Sequence, residues 1–190
     1  DEPVVIYLPY GQNPTSIKKL ITSEDYRGVS LAVDKINSEG GLLGRKIEVI
    51  DAKTSSLTEA KKMALAQLGN DRVIGVIGPN TSSMSLVIGP LFQKAGIPMI
   101  ATIATDPSVT AIGDYVFRVC FIDPFQGELM ANFALNSLGA KTAAILRKPQ
   151  DKYSVSLSEY FAAAFTMKGE IVLEENYDPY DMNFTESLLK

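Results

Sequence analysis

Apolar and polar positions alternate in blocks along the first 120 residues, and the blocks predict strands and helices in turn. Short apolar runs that end at polar or glycine-rich turns are typical of buried parallel strands. Five such runs are present: Pro3–Leu8, Arg45–Asp51, Val73–Ile77, Pro98–Thr102 and Val116–Phe121. Between the runs, apolar residues recur at helical spacing, as Tyr26, Val29, Val33 and Ile36 do. Alternating units of this kind predict an α/β fold, a doubly wound parallel sheet with helices on both faces.

Polar residues mark where the helices are expected to begin. Thr22 and Asp25, and again Ser56 and Glu59, have the spacing of a capping box. The first of these predicts that a long polar turn, Pro9–Ser23, precedes the first helix.

The alternation continues after residue 121 but covers fewer units. Asp123 is predicted as the N-cap of a helix whose apolar face includes Leu129 and Phe133. The further predicted elements are a strand at Lys141–Arg147, a helix at Ser154–Lys168, a strand at Glu170–Glu175 and a helix opening at Asn183 and Glu186.

We therefore predict two domains, a complete lobe over residues 1–121 and a crossing segment with part of a second lobe over residues 122–190. Two βα units do not form a balanced domain, so we expect the sequence to stop within the second lobe. Unpaired strand edges and exposed apolar surface are rare in soluble monomers. We therefore expect self-association of the chain, or partial mobility after Asp123.

Two polar turns follow neighbouring predicted strands of the first lobe. They are Asn80-Thr81-Ser82-Ser83 and Ile103-Ala104-Thr105-Asp106-Pro107, and each opens a helix. Parallel strands end at one edge of a sheet, where α/β folds bind ligands. Helix N-termini present backbone N–H groups and a partial positive charge there, which favours a carboxylate or phosphate. The alternative is that these residues only cap their helices.

Composition narrows the classes of function. The chain of 190 residues carries a net charge of −4 without a basic cluster, which argues against nucleic acid as a partner. It contains no histidine, so serine–histidine triads and histidine-ligated zinc are excluded, and no cofactor or metal is expected. Cys120 is the single cysteine and is predicted to be a small buried hydrophobe.

The ordered segments resemble the type I periplasmic substrate-binding proteins, in the branch that binds leucine, isoleucine and valine for ABC transporters. The segments that carry the resemblance are GVSLAVDKINSEGGLLGRKIEVI from Gly28, VIGPNTSSMS from Val76, IATIATDPSVT from Ile100, YVFRVCFIDPFQG from Tyr115 and KYSVS from Lys152. The resemblance covers the whole chain but only the first half of such a protein. It implies a non-enzymatic, periplasmic or extracellular protein, with its signal peptide removed, that delivers its ligand to a membrane permease.

The resemblance also implies ligand-binding roles for particular residues. Ser82, with Ser83 beside it, and Thr105 would hold the ligand's α-carboxylate, and Thr105 would also meet the ammonium group. The backbone carbonyl of Ile103, next to Ala104, would accept from the ammonium. Tyr153 would reach in from the second lobe, and Asp123 would lie at the first hinge crossing, so that the ligand is held between two lobes.

Three functions follow from this sequence. The leading hypothesis is an extracytoplasmic binding protein for a small carboxylate, an amino acid in particular. A ligand-sensing ectodomain or an amide- or urea-type binder of the same fold is the alternative within binding proteins. An α/β enzyme is the alternative of another class, and it is disfavoured because no nucleophile–base pair is evident.

Overall fold

The computed structural model describes residues 2–11, 16–178 and 184–185, and of residues 16–24 it describes the backbone only. The helix predicted at Asn183 and Glu186 lies outside the described residues. The chain folds into two compact units, one of Asp1–Ala104 and Ser108–Cys120, the other of Thr105–Pro107 and Phe121–Lys190. Each unit has its own parallel sheet.

The first unit is organised by a sheet of five parallel strands in the order β2-β1-β3-β4-β5. The strands are β1 (Val4–Gly11), β2 (Ile47–Thr54), β3 (Val73–Ile77), β4 (Met99–Ala101) and β5 (Val116–Arg118). The predicted parallel sheet is confirmed, because each apolar run supplies one strand. Cys120 follows β5 and is only half-buried, so the prediction of a small buried hydrophobe at this position is wrong.

Within the described residues, the first unit contains three α-helices, and the N-terminus of one of them carries the N-cap that the sequence predicts. They are α1 (Ser16–Ser38), α2 (Leu57–Gln67) and α3 (Ser82–Ala95), and a short 3-10 helix spans Pro107–Ile112. At α2 the predicted cap is confirmed, since the Glu59 N–H donates to Ser56 Oγ at 3.2 Å. The Glu59 carboxylate accepts from the N–H of Ser55 at 2.7 Å, and these bonds to Ser55 lower its pKa.

The start of α1 corrects the sequence analysis. Strand β1 runs to Gly11 and α1 begins at Ser16, so the long turn Pro9–Ser23 and the capping box at Thr22 and Asp25 are both wrong. Asp25 lies inside the helix, and its carboxyl contacts Thr102 and Asn80 of distant segments. A tertiary contact, and not a local cap, accounts for the acidic residue at this position.

The core of the first unit lies between β1, β3, β4 and helix α3. Tyr7, Val76, Ile88, Phe92 and Met99 are buried there. The rings of Tyr7 and Phe92 pack with their centroids 5.8 Å apart. Because this core fixes the strands on both sides of β3, it also fixes the turns at their carboxyl ends.

The second unit pairs two strands with two helices. Its elements are α4 (Asp123–Asn132), a π-helical turn (Phe133–Ser137), β6 (Thr142–Arg147), α5 (Lys152–Phe165) and β7 (Glu170–Asn176). The N-cap of α4 is Ile122, so the prediction that Asp123 caps this helix is wrong. Asp123 is instead the first helical residue, and its N–H donates to the carbonyl of Thr105 at 3.0 Å. Within the described ranges, none of the helices is both long and apolar enough to cross a membrane.

Candidate functional site

The carboxyl ends of β3 and β4 form one edge of the first sheet, as the sequence predicts. The strands are parallel neighbours, with Val76 opposite Met99 and Ile77 opposite Ile100. The N–H of Gly78 extends this pairing by donating to the Ile100 carbonyl at 2.8 Å. The turn that leads to Ser82 and the turn at Thr102–Ala104 therefore start side by side.

The turn from β3 to α3 depends on glycine for its shape. Gly78 has a φ of 106°, and a Cβ added there would lie 2.7 Å from the carbonyl oxygen of Pro9. Other residues would be strained by the backbone conformation and would also clash. This constraint holds the turn close against the end of β1.

The cap of α3 is Thr81, whose side chain accepts from the N–H of Met84 at 3.3 Å. The sequence analysis left two roles possible for this turn, helix capping and ligand binding, and Thr81 is the residue that caps the helix. Ser82 is the first helical residue, with 1% of its surface exposed, and Ser83 follows it. A capping role accordingly does not explain why hydroxyl groups occupy these two positions.

The turn after β4 contributes one exposed and one buried residue to the same edge. Ile103 is 47% exposed, whereas Ala104 is fully buried. The Ala104 carbonyl accepts from Nη1 of Arg118 at 2.9 Å and from Sγ of Cys120 at 3.6 Å. Arg118 and Cys120 thereby fix the path of this turn.

Asp25 brings a carboxyl group to this edge, which the sequence analysis did not anticipate. The half-buried side chain lies against Thr102 and Asn80. Burial raises the pKa of the Asp25 carboxyl, while hydrogen bonding to Thr102 and Asn80 acts to lower it. The one signal in the sequence was an acidic residue at the start of an apolar helical pattern, which also fits a cap.

Thr105 and Asp123 lie together in the second unit, where they share a backbone hydrogen bond. Thr105 is 5% exposed, and its Oγ1 has no hydrogen-bond partner within the described residues. Asp123 is completely buried, and neither of its carboxylate oxygens has a partner in the same part of the chain. Burying polar groups without partners is costly, and most of all for a carboxylate. Both side chains are therefore able to accept or donate bonds to a bound group.

Tyr153 occupies the first turn of α5 in the second unit. Its N–H donates to Oδ1 of the N-cap Asp151 at 3.2 Å, and its hydroxyl accepts from Nε2 of Gln126 at 3.5 Å. The ring is 37% exposed. The structure thus brings Ser82, Ser83, Ile103 and Ala104 to one edge of the first unit, and it places Thr105, Asp123 and Tyr153 in the second. Across the described ranges, no group of three or more His, Cys, Asp or Glu side chains could hold a metal ion.

Comparisons with known proteins give a consistent result. A family model described as periplasmic binding protein matches residues 20–190. Leu/Ile/Val-binding protein homolog 3 of Brucella melitensis is 29% identical over 168 residues, which are 86% of this chain and 45% of that protein.

Two solved structures share the fold at similar identity. The leucine-binding protein LivK of Thermotoga maritima matches with a TM-score of 0.87 and 29% identity, covering 98% of this chain and 52% of that one. The substrate-binding protein LivJ of Streptococcus pneumoniae, solved in complex with isoleucine, matches with a TM-score of 0.85 and 28% identity, covering 98% and 53%. The chain spans about half the length of these proteins.

Proposed function

Since the chain belongs to the periplasmic binding protein family, we propose that it is part of an extracytoplasmic solute-binding protein for a small carboxylate, an amino acid in particular. Relatives named for leucine, isoleucine and valine, and a solved relative holding isoleucine, support an amino acid as the ligand. The role we propose is to bind a solute and deliver it to the membrane permease of an ABC transporter. Binding rather than chemical conversion is the activity, in keeping with the relatives, which are named as binding proteins.

The observation that carries this proposal is the turn from β3 to α3. Thr81 already caps the helix, so the buried hydroxyl of Ser82 is not needed for capping. The N-terminus of a helix of 14 residues directs backbone N–H groups and a partial positive charge toward this edge. A carboxylate is the ligand group that such an arrangement stabilises.

We propose that Ser82 and Ser83 donate to the ligand's carboxylate and that the backbone of Ile103 and Ala104 borders the same edge. Thr105, Asp123 and Tyr153 stay predicted ligand contacts. Thr105 was predicted as part of the first lobe, whereas the structure groups it with the second unit. The hydroxyl of Thr105 and the carboxylate of Asp123 have no hydrogen-bond partner in the part of the chain that the structure describes, which supports those two predictions.

The test is the affinity of the protein for L-amino acids, measured by titration calorimetry. Ser82→Ala should weaken the free energy of binding by about 1–3 kcal/mol, because a bond to a charged group is lost. The matched control is Ser38→Ala, which removes a hydroxyl that donates to the Lys35 carbonyl, at the end of α1 that leads to the amino end of β2. Equal affinities of wild type, Ser82→Ala and Ser38→Ala would overturn the site, and turnover of a bound amino acid would overturn the class of function.

A further inference from the structure

The hydroxyl group of Tyr153 has a single hydrogen-bond partner in the part of the chain that the structure describes. It accepts from Nε2 of Gln126 in α4 at 3.5 Å, while Tyr153 itself lies in the first turn of α5. The NH₂ group of a glutamine only donates, so the phenolic oxygen is the acceptor in this pair. The O–H proton of Tyr153 is therefore left without an acceptor among the described residues.

Close packing of two helices holds Gln126 beside this hydroxyl. The next residue, Gly127, is buried, and a Cβ added to it would lie 2.7 Å from the backbone nitrogen of Phe161 in α5. The backbone of Gln126 is fixed as well, since its N–H donates to the Ile122 carbonyl at 3.2 Å. The half-buried Gln126 side chain accordingly starts from a position that the contact between α4 and α5 sets.

The backbone of Tyr153 is fixed by the cap of α5. Its N–H donates to Oδ1 of the N-cap residue Asp151 at 3.2 Å. Contacts at both ends of the residue limit the rotamers of the ring. The residue is 37% exposed, so its side chain stays accessible to a ligand.

The hydrogen bond between Gln126 and Tyr153 orients the hydroxyl but adds little to stability. At 3.5 Å it is longer than most N–H···O bonds, and it lies on the exposed surface of the unit. A bond of this kind exchanges readily with water, so its loss changes the free energy of unfolding very little. A variant at position 126 can therefore test orientation separately from folding.

We propose that Gln126 is a positioning residue that makes Tyr153 a hydrogen-bond donor to the ligand. This inference rests on the proposed function, in which Tyr153 is a predicted ligand contact. Because the amide of Gln126 occupies an acceptor position of the phenolic oxygen, the O–H proton is directed to an acceptor on the ligand. In an amino acid with an apolar side chain, the carboxylate is the group that accepts. Gln126 thus strengthens the binding of the carboxylate without touching the ligand.

The experiment is a double-mutant cycle between positions 126 and 153. Affinities for L-leucine, L-isoleucine and L-valine are measured by titration calorimetry for wild type, Tyr153→Phe, Gln126→Met, Gln126→Glu and the two double variants. Methionine keeps the length of glutamine and has no amide donor. Glutamate keeps the shape of glutamine but only accepts, so it takes up the proton of Tyr153. Its added charge is present with and without the tyrosine hydroxyl, and the cycle subtracts it.

The matched control is Gln150→Met, which makes the same substitution in the same unit. Gln150 is exposed in the turn before α5 and makes no hydrogen bond within the described residues. Its affinity should equal that of the wild type. Thermal unfolding of the ligand-free variants should give midpoints close to that of the wild type, which shows that all of them fold.

Tyr153→Phe should lower the affinity about 10-fold, because a bond to a charged group is lost. Gln126→Met should lower it about 3-fold and Gln126→Glu about 10-fold, since the first frees the hydroxyl to rotate and the second turns its proton away from the ligand. In the Tyr153→Phe background, Gln126→Met should have no effect, and Gln126→Glu should keep only the effect of its charge.

The outcomes separate this inference from the proposed function. Equal losses for Gln126→Met in the presence and absence of the Tyr153 hydroxyl would overturn the positioning role, and so would wild-type affinity in Gln126→Glu. Unchanged affinity in Tyr153→Phe would also overturn it, and would leave the proposed site at Ser82 standing. Failure of all three amino acids to bind to the wild type would overturn the proposed function together with this inference.

Discussion

The two units use the same alternation of strands and helices but bury their apolar residues to different extents. In the first unit, β1 lies between β2 and β3, and Val5, Tyr7 and Leu8 are all buried. In the second, β6 and β7 pair only with each other within the described residues. Leu129 in its helix α4 and Phe133, the first residue of the π-helical turn that follows, are each 57% exposed.

The comparison shows that apolar residues at helical spacing predict a helix but do not predict which of its side chains are buried. Leu129 and Phe133 were predicted to lie on the apolar face of this helix, yet the buried positions of α4 include Gly127 and Ala131, and Gly127 lies directly against α5. Small residues allow α4 and α5 to approach closely, whereas the large side chains of Leu129 and Phe133 stay exposed. Stability should therefore be concentrated in the first unit.

Hydrogen exchange gives the largest expected difference between the units. Amides of β1, such as the Val5 N–H bonded to the Arg72 carbonyl at 2.8 Å, should exchange only when the first unit unfolds. Amides of β7 should exchange through local opening, with a free energy lower by roughly 4 kcal/mol, which is about a thousandfold in rate. Native-state exchange followed by mass spectrometry measures both. Equal protection of β1 and β7 would show that the units unfold together.

Most of the first unit could be predicted from the sequence because its strands are short, continuous apolar runs. Val73–Ile77 was predicted with the bounds that the structure shows. The beginning of α1 could not be predicted in the same way, because residues 12–24 contain hydroxyl, amide and charged side chains that also suit a turn. Capping-box spacing at Thr22 and Asp25 recurs by chance inside a helix, and only a distant partner reveals the difference.

The residues of the candidate site also fall into two groups, those that local sequence pattern predicts and those that only the folded structure reveals. Its strand ends and helix starts follow from local pattern, which is why Ser82 could be proposed from the residues alone, whereas Ile103 was proposed only through the family resemblance. Asp25 could not, since its neighbours Asn80 and Thr102 belong to segments far away in the chain. That the buried carboxylate of Asp123 has no hydrogen-bond partner among the described residues is likewise visible only in the structure.

The second largest expected difference between the units is a loss of stability of the first unit at alkaline pH. Burial raises the pKa of Tyr7 to about 12, and burial together with a hydrogen bond to Asp51 raises the pKa of Tyr10 to about 12. In the unfolded chain both ionise near 10, so between these values the unfolded state loses protons first and becomes favoured. The free energy of unfolding should be unaffected below pH 10 and fall by roughly 3 kcal/mol through Tyr7 as the pH rises to 12, with a smaller loss through Tyr10, whose hydroxyl is better screened by solvent.

Tyr7→Phe separates this effect from general alkaline damage. The Tyr7 hydroxyl has no hydrogen-bond partner within the described residues, so its removal should cost little at neutral pH or stabilise the unit. It should also remove the Tyr7 share of the alkaline loss. Denaturant titrations over this pH range, with phenolate absorbance recorded in parallel, provide the measurement. An unchanged alkaline slope in Tyr7→Phe would show that Tyr7 is not responsible.

Replacing one helical glycine in each unit by alanine should give the smallest difference between the two units. A Cβ at Gly127 in α4 would lie 2.7 Å from the backbone nitrogen of Phe161, so α4 and α5 would have to separate. At Gly89 in α3 the nearest atom is Cδ1 of Ile112, also at 2.7 Å, which is the end of a flexible side chain. Replacing a helical glycine by alanine gains up to about 1 kcal/mol in propensity. Gly127→Ala should therefore destabilise the second unit by about 1–2 kcal/mol net of this gain, because overpacking against backbone is not relieved by a rotamer change. Gly89→Ala should change the free energy of unfolding of the first unit by less than about 1 kcal/mol.

Hydrogen exchange measures both effects. The exchange of β7 amides reports the stability of Gly127→Ala, and the exchange of β1 amides reports that of Gly89→Ala. A larger loss in β1 for Gly89→Ala than in β7 for Gly127→Ala would mean that the first core is the more rigid at its helix contacts, and that the packing of α4 on α5 adapts.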